Sequence, residues 1–152
     1  MAHCAPNIMT FNLIDHLDAV KTSLKALYDS LLPGGILVLE IMTYSLAQKI
    51  EYNAWLSDAY DRTDGSTLVV DSFYHPMSSG VVHVERRYSV QDAQKKIEQL
   101  ETEEHALRLY TDAEMLECLQ VAGFVMIKMI KAFQHDVLPD IEDILVIYEC
   151  TK

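Results

Sequence analysis

Apolar residues recur along this chain with two different periods, and the switches between them outline its elements. Over residues 18–32, Val20, Leu24, Leu27 and Leu31 fall at the i, i+4, i+7, i+11 spacing of one buried helix face, with Asp18 as the expected N-cap. Pro33-Gly34-Gly35 ends this helix, because proline cannot continue it and glycine accepts a positive φ. The apolar run 36–41 (ILVLEI) follows at once and reads as a strand covered on both faces, as in a parallel sheet. Residues 45–60, carrying Leu46, Ile50, Trp55 and Leu56, read as a further helix.

The middle of the chain changes character. Segments 67–74, 81–90 and 96–107 are alternating or β-rich, with turn signals at 75–80 and at Gln91-Asp92. They predict an antiparallel three-stranded meander, an insert over 61–108 with Glu85, Arg87, Glu101 and Glu103 on its wet faces. Thr111-Asp-Ala-Glu114 then fits a capping box, in which Thr and Glu satisfy the free amides at a helix start. That helix carries Met115, Leu116, Leu119 and Ala122 and stops at Gly123. Segments 124–130 and 144–148 read as two final strands, joined by a polar loop through His135 and Pro139. Helix, strand, meander, helix, strand, strand is α/β organisation that starts in mid-fold.

Composition narrows the possibilities. A chain of 152 residues predicts one domain, and no run approaches the ~20 apolar residues of a membrane helix. Residues 1–10 have no basic segment leading into an apolar one, so a secretory signal is not expected and the cytoplasm is the expected location. A formal net charge of −11 argues against nucleic-acid and anionic-membrane partners, which need Lys and Arg to replace counterions. Cys4, Cys118 and Cys150 have no metal-like spacing and read as free, buried or half-buried thiols. There is no nucleophile elbow and no phosphate-binding loop.

Three stretches together resemble class I S-adenosylmethionine-dependent methyltransferases. Residues 17–41 (LDAVKTSLKALYDSLLPGGILVLEI) are similar to the helix–LxPGG–strand block of that family. Residues 109–116 (LYTDAEML), continuing to Ala122-Gly123-Phe124, are similar to its segment before the sixth strand, and the closing hairpin to its antiparallel final pair. The antiparallel insert and Ile14-Asp-His-Leu17 resemble the subgroup containing amino-sugar N-methyltransferases. The resemblance implies a partial Rossmann-like methyltransferase sheet with an inserted three-stranded meander, forming a single incomplete domain over 1–152. It implies S-adenosylmethionine as cofactor and a small-molecule amine or hydroxyl as acceptor. Family members hold the methionine end of the cofactor on a glycine-rich turn. None of the five glycines here, Gly34, Gly35, Gly65, Gly80 and Gly123, makes a GxG. The expectation is therefore the C-terminal half of such an enzyme, inactive alone.

The resemblance also assigns residues. His16 falls where the subgroup has a histidine near the sulfonium, suited to orient or deprotonate an acceptor because an imidazole exchanges its proton near neutral pH. Its alternative is a histidine at a helix start, bonded to backbone. Thr10, Phe11 and Asn12 fall where the fourth strand turns beneath the cofactor, or are ordinary turn residues. Glu40, placed at a strand's carboxyl end, is a ligand-side or a solvated carboxylate. Tyr44, Trp55 and Tyr60 wall an acceptor pocket or simply pack a core or lid. His75, His83 and His105, with Glu85 and Glu103, lack the spacing of a structural zinc site and read as solvated sheet positions, so no metal is expected. Two non-catalytic readings stand beside the enzyme. One is a remnant that forms a homodimer or is completed by a partner chain, because missing strands leave an open edge and an apolar patch. The other is a small-ligand binding domain with a pocket between meander and sheet.

Overall fold

A computed structural model describes residues 10–92, 94, 97–134 and 136–152. The expectations resting on Cys4 and His135 lie outside these residues. The chain divides into two compact units, one of residues 1–49 and 108–152, the other of residues 50–107.

The first unit opens with a short 3-10 turn, Thr10–Leu13, followed by helix α1, Leu17–Ser30. The helix begins one residue before the expected cap. His16 is the N-cap and Asp18 lies in the first turn, where a negative charge suits the positive end of the helix dipole. Strand β1, Ile36–Met42, pairs antiparallel with β7, Leu145–Thr151, and β7 pairs antiparallel with β6, Met126–Lys131, giving the order β1-β7-β6. The closing hairpin is thus present, with Phe124 held in the core ahead of β6. Only one face of β1 is fully buried: Leu37, Leu39 and Ile41 are covered, whereas the residues between them are half-buried. The expectation of a strand covered on both faces is corrected to this alternating pattern. Antiparallel pairing with β7 is what the described residues show.

Helices α1 and α2, Asp112–Ala122, bury Val20, Leu24, Met115, Cys118 and Leu119 against Leu37, Leu39, Ile41, Val146, Tyr148 and Cys150. Cys118 and Cys150 are free and buried, as expected of structural thiols. Burial raises the Cys118 thiol and pushes that of Cys150 up to about 12, leaving neither poised for thiolate chemistry. The capping box is intact: the Thr111 hydroxyl accepts from the Glu114 amide at 3.2 Å and Glu114 accepts from the Thr111 amide at 2.9 Å. At the far end Gly123 adopts φ +117°, and a Cβ there would lie 3.0–3.2 Å from the Tyr28 ring, which packs edge-on against Phe124.

The second unit is a four-stranded antiparallel sheet in the order β2-β3-β4-β5: Trp55–Asp61, Thr67–Tyr74, Val81–Gln91 and Ile97–Arg108. The three expected meander strands are β3 to β5. The helix expected over 45–60 is absent; its place is taken by a 3-10 turn, Tyr44–Gln48, and by edge strand β2. Asn53, at φ +60°, turns the chain into β2, and its amide donates to the Tyr74 carbonyl at 3.0 Å. All seven residues of β2 pair with β3, but its surface is mostly exposed, so the strand carries no apolar alternation to betray it.

Gly123→Ala is expected to destabilise the chain by about 1–3 kcal/mol, since alanine meets both an unfavourable φ and the Tyr28 ring. Urea denaturation of the two proteins measures it, and equal midpoints would show that neither constraint operates.

Candidate functional site

One buried carboxamide organises the carboxyl end of β1. Asn12 is fully buried, and its Nδ2 donates to the Met42 carbonyl at 3.0 Å and to the Arg108 carbonyl at 2.6 Å, while its Oδ1 accepts from the Met42 amide at 3.0 Å. The side chain thus answers the last residue of the strand as a neighbouring strand's peptide would. Tyr110 reinforces the joint: its hydroxyl donates to the Phe11 carbonyl at 2.9 Å and its amide to Met42 at 3.4 Å, and its carbonyl accepts from the Tyr44 amide at 2.7 Å. Burial raises the Tyr110 hydroxyl pKa well above the ordinary phenol range, so the group stays a neutral donor.

Arg108 carries the joint onward. Its guanidinium donates to the Asp15 carbonyl at 3.2 Å and to the Glu114 carboxylate at 3.1 Å, tying the turn before His16 to the start of α2. Partial burial alone would raise the Glu114 carboxyl; hydrogen bonds from the Thr111 amide and hydroxyl and the charge of Arg108 outweigh it and hold the group below its usual range.

Beyond this joint lies a cleft of about 690 Å³. Thr43, Tyr44 and Lys49 line it after β1, Thr111 and Asp112 at the start of α2, and residues 140–143 before β7. The carboxyl end of a strand beside a helix start is where α/β folds place ligands. Tyr148 donates its hydroxyl to Asp112 at 2.9 Å, and Lys131 joins Asp140 and Asp143 at 3.3 and 3.0 Å, so three of the cleft's carboxylates are already engaged.

The structure separates the residues expected at the site. Tyr44 lines the cleft. Glu40 does not, because β1 runs two residues past it to Met42; it is half-buried opposite Ile147 rather than at the strand's end. Phe11 belongs to the core and Asn12 is committed to backbone; of Thr10 the structure describes only its place in the turn. The His16 side chain is 85% exposed, forms no capping hydrogen bond and meets Asp15 at 3.6 Å. Trp55 and Tyr60 belong to the second unit, five residues apart on one strand, and alternation puts them on opposite faces of its sheet. The three histidines of that unit are not uniformly solvated: His83 is exposed, His75 bonds Glu85 at 2.7 Å, and the His105 side chain is only 15% exposed, 3.3 Å from Glu103. Among the described residues no three His, Cys, Asp or Glu side chains converge as metal ligands.

No family model matches the sequence, and no curated protein matches it either. Solved structures do match in fold. A methyltransferase from Clostridium acetobutylicum that depends on S-adenosylmethionine aligns with a TM-score of 0.77 at 19% identity, over 95% of this chain and 55% of that one. The chain has a methyltransferase fold. An amino pentose methyltransferase from Micromonospora echinaspora, solved with S-adenosylmethionine bound, aligns at 0.69 and 19% identity, again over 95% and 55%. A sugar N-methyltransferase from a Streptoalloteichus species aligns at 0.68 and 17% identity, over 96% and 53%. The chain therefore spans about half the length of the methyltransferases it matches. No described helix is long and apolar enough to cross a membrane.

Arg108 and Asn12 were missed by sequence reasoning as a pair because their contact spans 96 positions. Asn12→Ala removes three hydrogen bonds to backbone, leaving the Met42 carbonyl only the long bond from the Tyr110 amide, and is expected to cost about 2–4 kcal/mol in chemical denaturation. Glu114 gives a pH signature. Its folded pKa is depressed, so its contribution is complete above the ordinary carboxylate value of about 4.3 and is lost as pH falls through the lower folded value. The wild type should lose more stability than Glu114→Gln across that acid window; parallel pH–stability curves would remove Glu114 from the account.

Proposed function

We propose that these residues form the acceptor-side part of a small-molecule methyltransferase that uses S-adenosylmethionine. The observation carrying this reading is the 0.77 TM-score over 95% of the chain against 55% of a methyltransferase. S-adenosylmethionine, when bound, supplies an electrophilic methyl group on a sulfonium. The residues present do not fit the methionine end of that cofactor: they include no GxG turn, and both Nδ2 hydrogens of Asn12 are already given to backbone carbonyls. Thr10, Phe11 and Asn12 enter the reading through the backbone of their turn.

Catalysis on this side consists of positioning an amine or hydroxyl and managing its proton. The cleft with Tyr44 offers a half-exposed aromatic wall for the acceptor. His16 fits the role of base because its imidazole is exposed and not consumed by capping. Glu40 has the weaker claim, being placed away from the cleft, and Trp55 and Tyr60 cannot share one ligand from opposite sheet faces. The relatives named for amino pentose and sugar N-methyl transfer favour an amine on a sugar-like acceptor. An acidic chain with formal charge −11 favours small-molecule partners over nucleic acid, and a cytoplasmic setting suits its free thiols.

By themselves the 152 residues are expected to bind S-adenosylmethionine weakly or not at all. Isothermal titration checks this: no heat of binding at micromolar cofactor supports the reading, and a micromolar Kd contradicts it.

A second reading, assembly as a homodimer or completion by a partner chain, is favoured by large apolar side chains left open in the first unit. Val125, Phe133 and Ile141 are each close to 90% exposed, and association would cover such apolar surface. Light scattering at tens of micromolar is expected to return a dimer or larger species; a monodisperse monomer speaks against it.

A further inference from the structure

The cleft after β1 holds one carboxylate whose direction is fixed from behind. Asp112 is the first residue of α2, and its Oδ1 accepts the hydroxyl of Tyr148, a buried residue of β7, at 2.9 Å. Burial, together with the bond and charge of Asp112, raises the Tyr148 phenol above its ordinary range, so Tyr148 remains the donor and Asp112 the acceptor. The bond keeps the carboxylate from turning. Among the described residues Oδ2 has no partner, and Asp112 lines the cleft.

The neighbouring polar groups are largely spent on the protein itself. Thr43 and Ser45 give their hydroxyls to the carbonyls of Asp143 and Ile141, and Lys49 gives its ammonium to the Glu142 carbonyl. Asp140 and Asp143 share Lys131. Glu142 is exposed on the loop before β7, whereas Asp112 is half-buried and held by a core residue. A ligand's hydrogen-bond donor therefore meets one pre-oriented acceptor, Asp112 Oδ2. Lys49 is the one cation lining the cleft against Asp112, Asp140, Glu142 and Asp143, so an anionic ligand is repelled. A neutral hydroxyl can donate to Oδ2, but an ammonium makes a charge-assisted bond about twice as strong. The ring face of Tyr44, 41% exposed, attracts the same cation.

We infer that Asp112, oriented by Tyr148, is the residue that makes this cleft select a protonated amine over a hydroxyl or an anion. The inference rests on the acceptor-side reading for the use of that amine and adds to it the group that holds the nitrogen. The part of Asp112 is binding and orientation, since a protonated amine must still lose a proton before it can accept a methyl group.

Cyclohexylamine, cyclohexanol and cyclohexanecarboxylate share one ring and differ in the charge of a single group at neutral pH. Each is titrated into the 152-residue chain, followed by NMR at the amides of Tyr44 and Asp112 and at the Asp112 carboxylate carbon. The amine is expected to bind saturably with a Kd in the millimolar range and to move the Asp112 carboxylate. The alcohol and the carboxylate are each expected to bind at least about tenfold more weakly, ~1.4 kcal/mol. Asp112→Asn, which keeps an acceptor for Tyr148, should weaken the amine about tenfold and erase its advantage over the alcohol. Tyr148→Phe, which leaves the charge in place but frees its rotation, should weaken it about threefold. Glu142→Gln removes the same charge from the same cleft and should change binding by less than about twofold. The carboxylate shift in the wild type needs no variant to fold. The inference is overturned if the amine leaves that carboxylate unmoved, if either other probe binds as well, if Asp112→Asn and Glu142→Gln weaken the amine equally, or if Tyr148→Phe binds like wild type. Those results remove Asp112 and leave the acceptor-side reading in place, whereas a cleft that none of the three probes moves overturns both. Selective amine binding stands whether or not the chain takes up cofactor.

Discussion

The first unit depends on how strand β1 ends. A strand's last amide and carbonyl must be paired if they are buried, and here both go to one side chain, Asn12. The same carboxamide also takes the Arg108 carbonyl, so three segments distant in sequence meet on a single group. The Arg108 guanidinium then reaches forward to Glu114 and back to the Asp15 carbonyl. The start of α2, the end of β1 and the turn leading into His16 are positioned together. The capping box does double duty, since Glu114 both closes the helix start and receives the arginine. Losing any one of these partners leaves a buried polar group unanswered, which costs more than the bond itself.

This joint explains why the cleft lies where it does. With Met42 fixed, the chain leaves β1 through Thr43 and Tyr44 directly beside the start of α2, and Thr43 donates its hydroxyl to the Asp143 carbonyl at 2.6 Å. The wall of the cleft is therefore built by backbone pairing and does not await a ligand. The methyltransferase fold enters as half of a familiar arrangement in which ligand groups gather at strand ends. The second unit carries its own stacked rings, Trp55 against Phe73 and Phe73 against His75.

Local chemistry was legible in the sequence and distant pairing was not. The α1 stripe, the Pro33-Gly34-Gly35 stop and the Thr111–Glu114 box are written in neighbouring residues, and all three appear. Strand β2 escaped because it is an edge strand whose residues are mostly exposed, so no alternation separates it from a loop or a helix. Glu40 was placed at a strand end because the apolar run weakens there, yet β1 continues through half-buried positions. Asn12 looked like a turn residue since its partners lie 30 and 96 positions away. The His75–Glu85 pair needed only the register of one hairpin, and the meander already implied that hairpin.

Hydrogen exchange of the Met42 amide tests the central claim most directly. This amide sits at the last position of β1, where a strand normally frays, and donates to Asn12 at 3.0 Å. If Asn12 closes the strand, Met42 exchanges only with global opening, in step with the most protected amides of the β1–β7 ladder, and the protection disappears in Asn12→Ala. Fast exchange of Met42 in the wild type, while the ladder stays protected, would contradict the account.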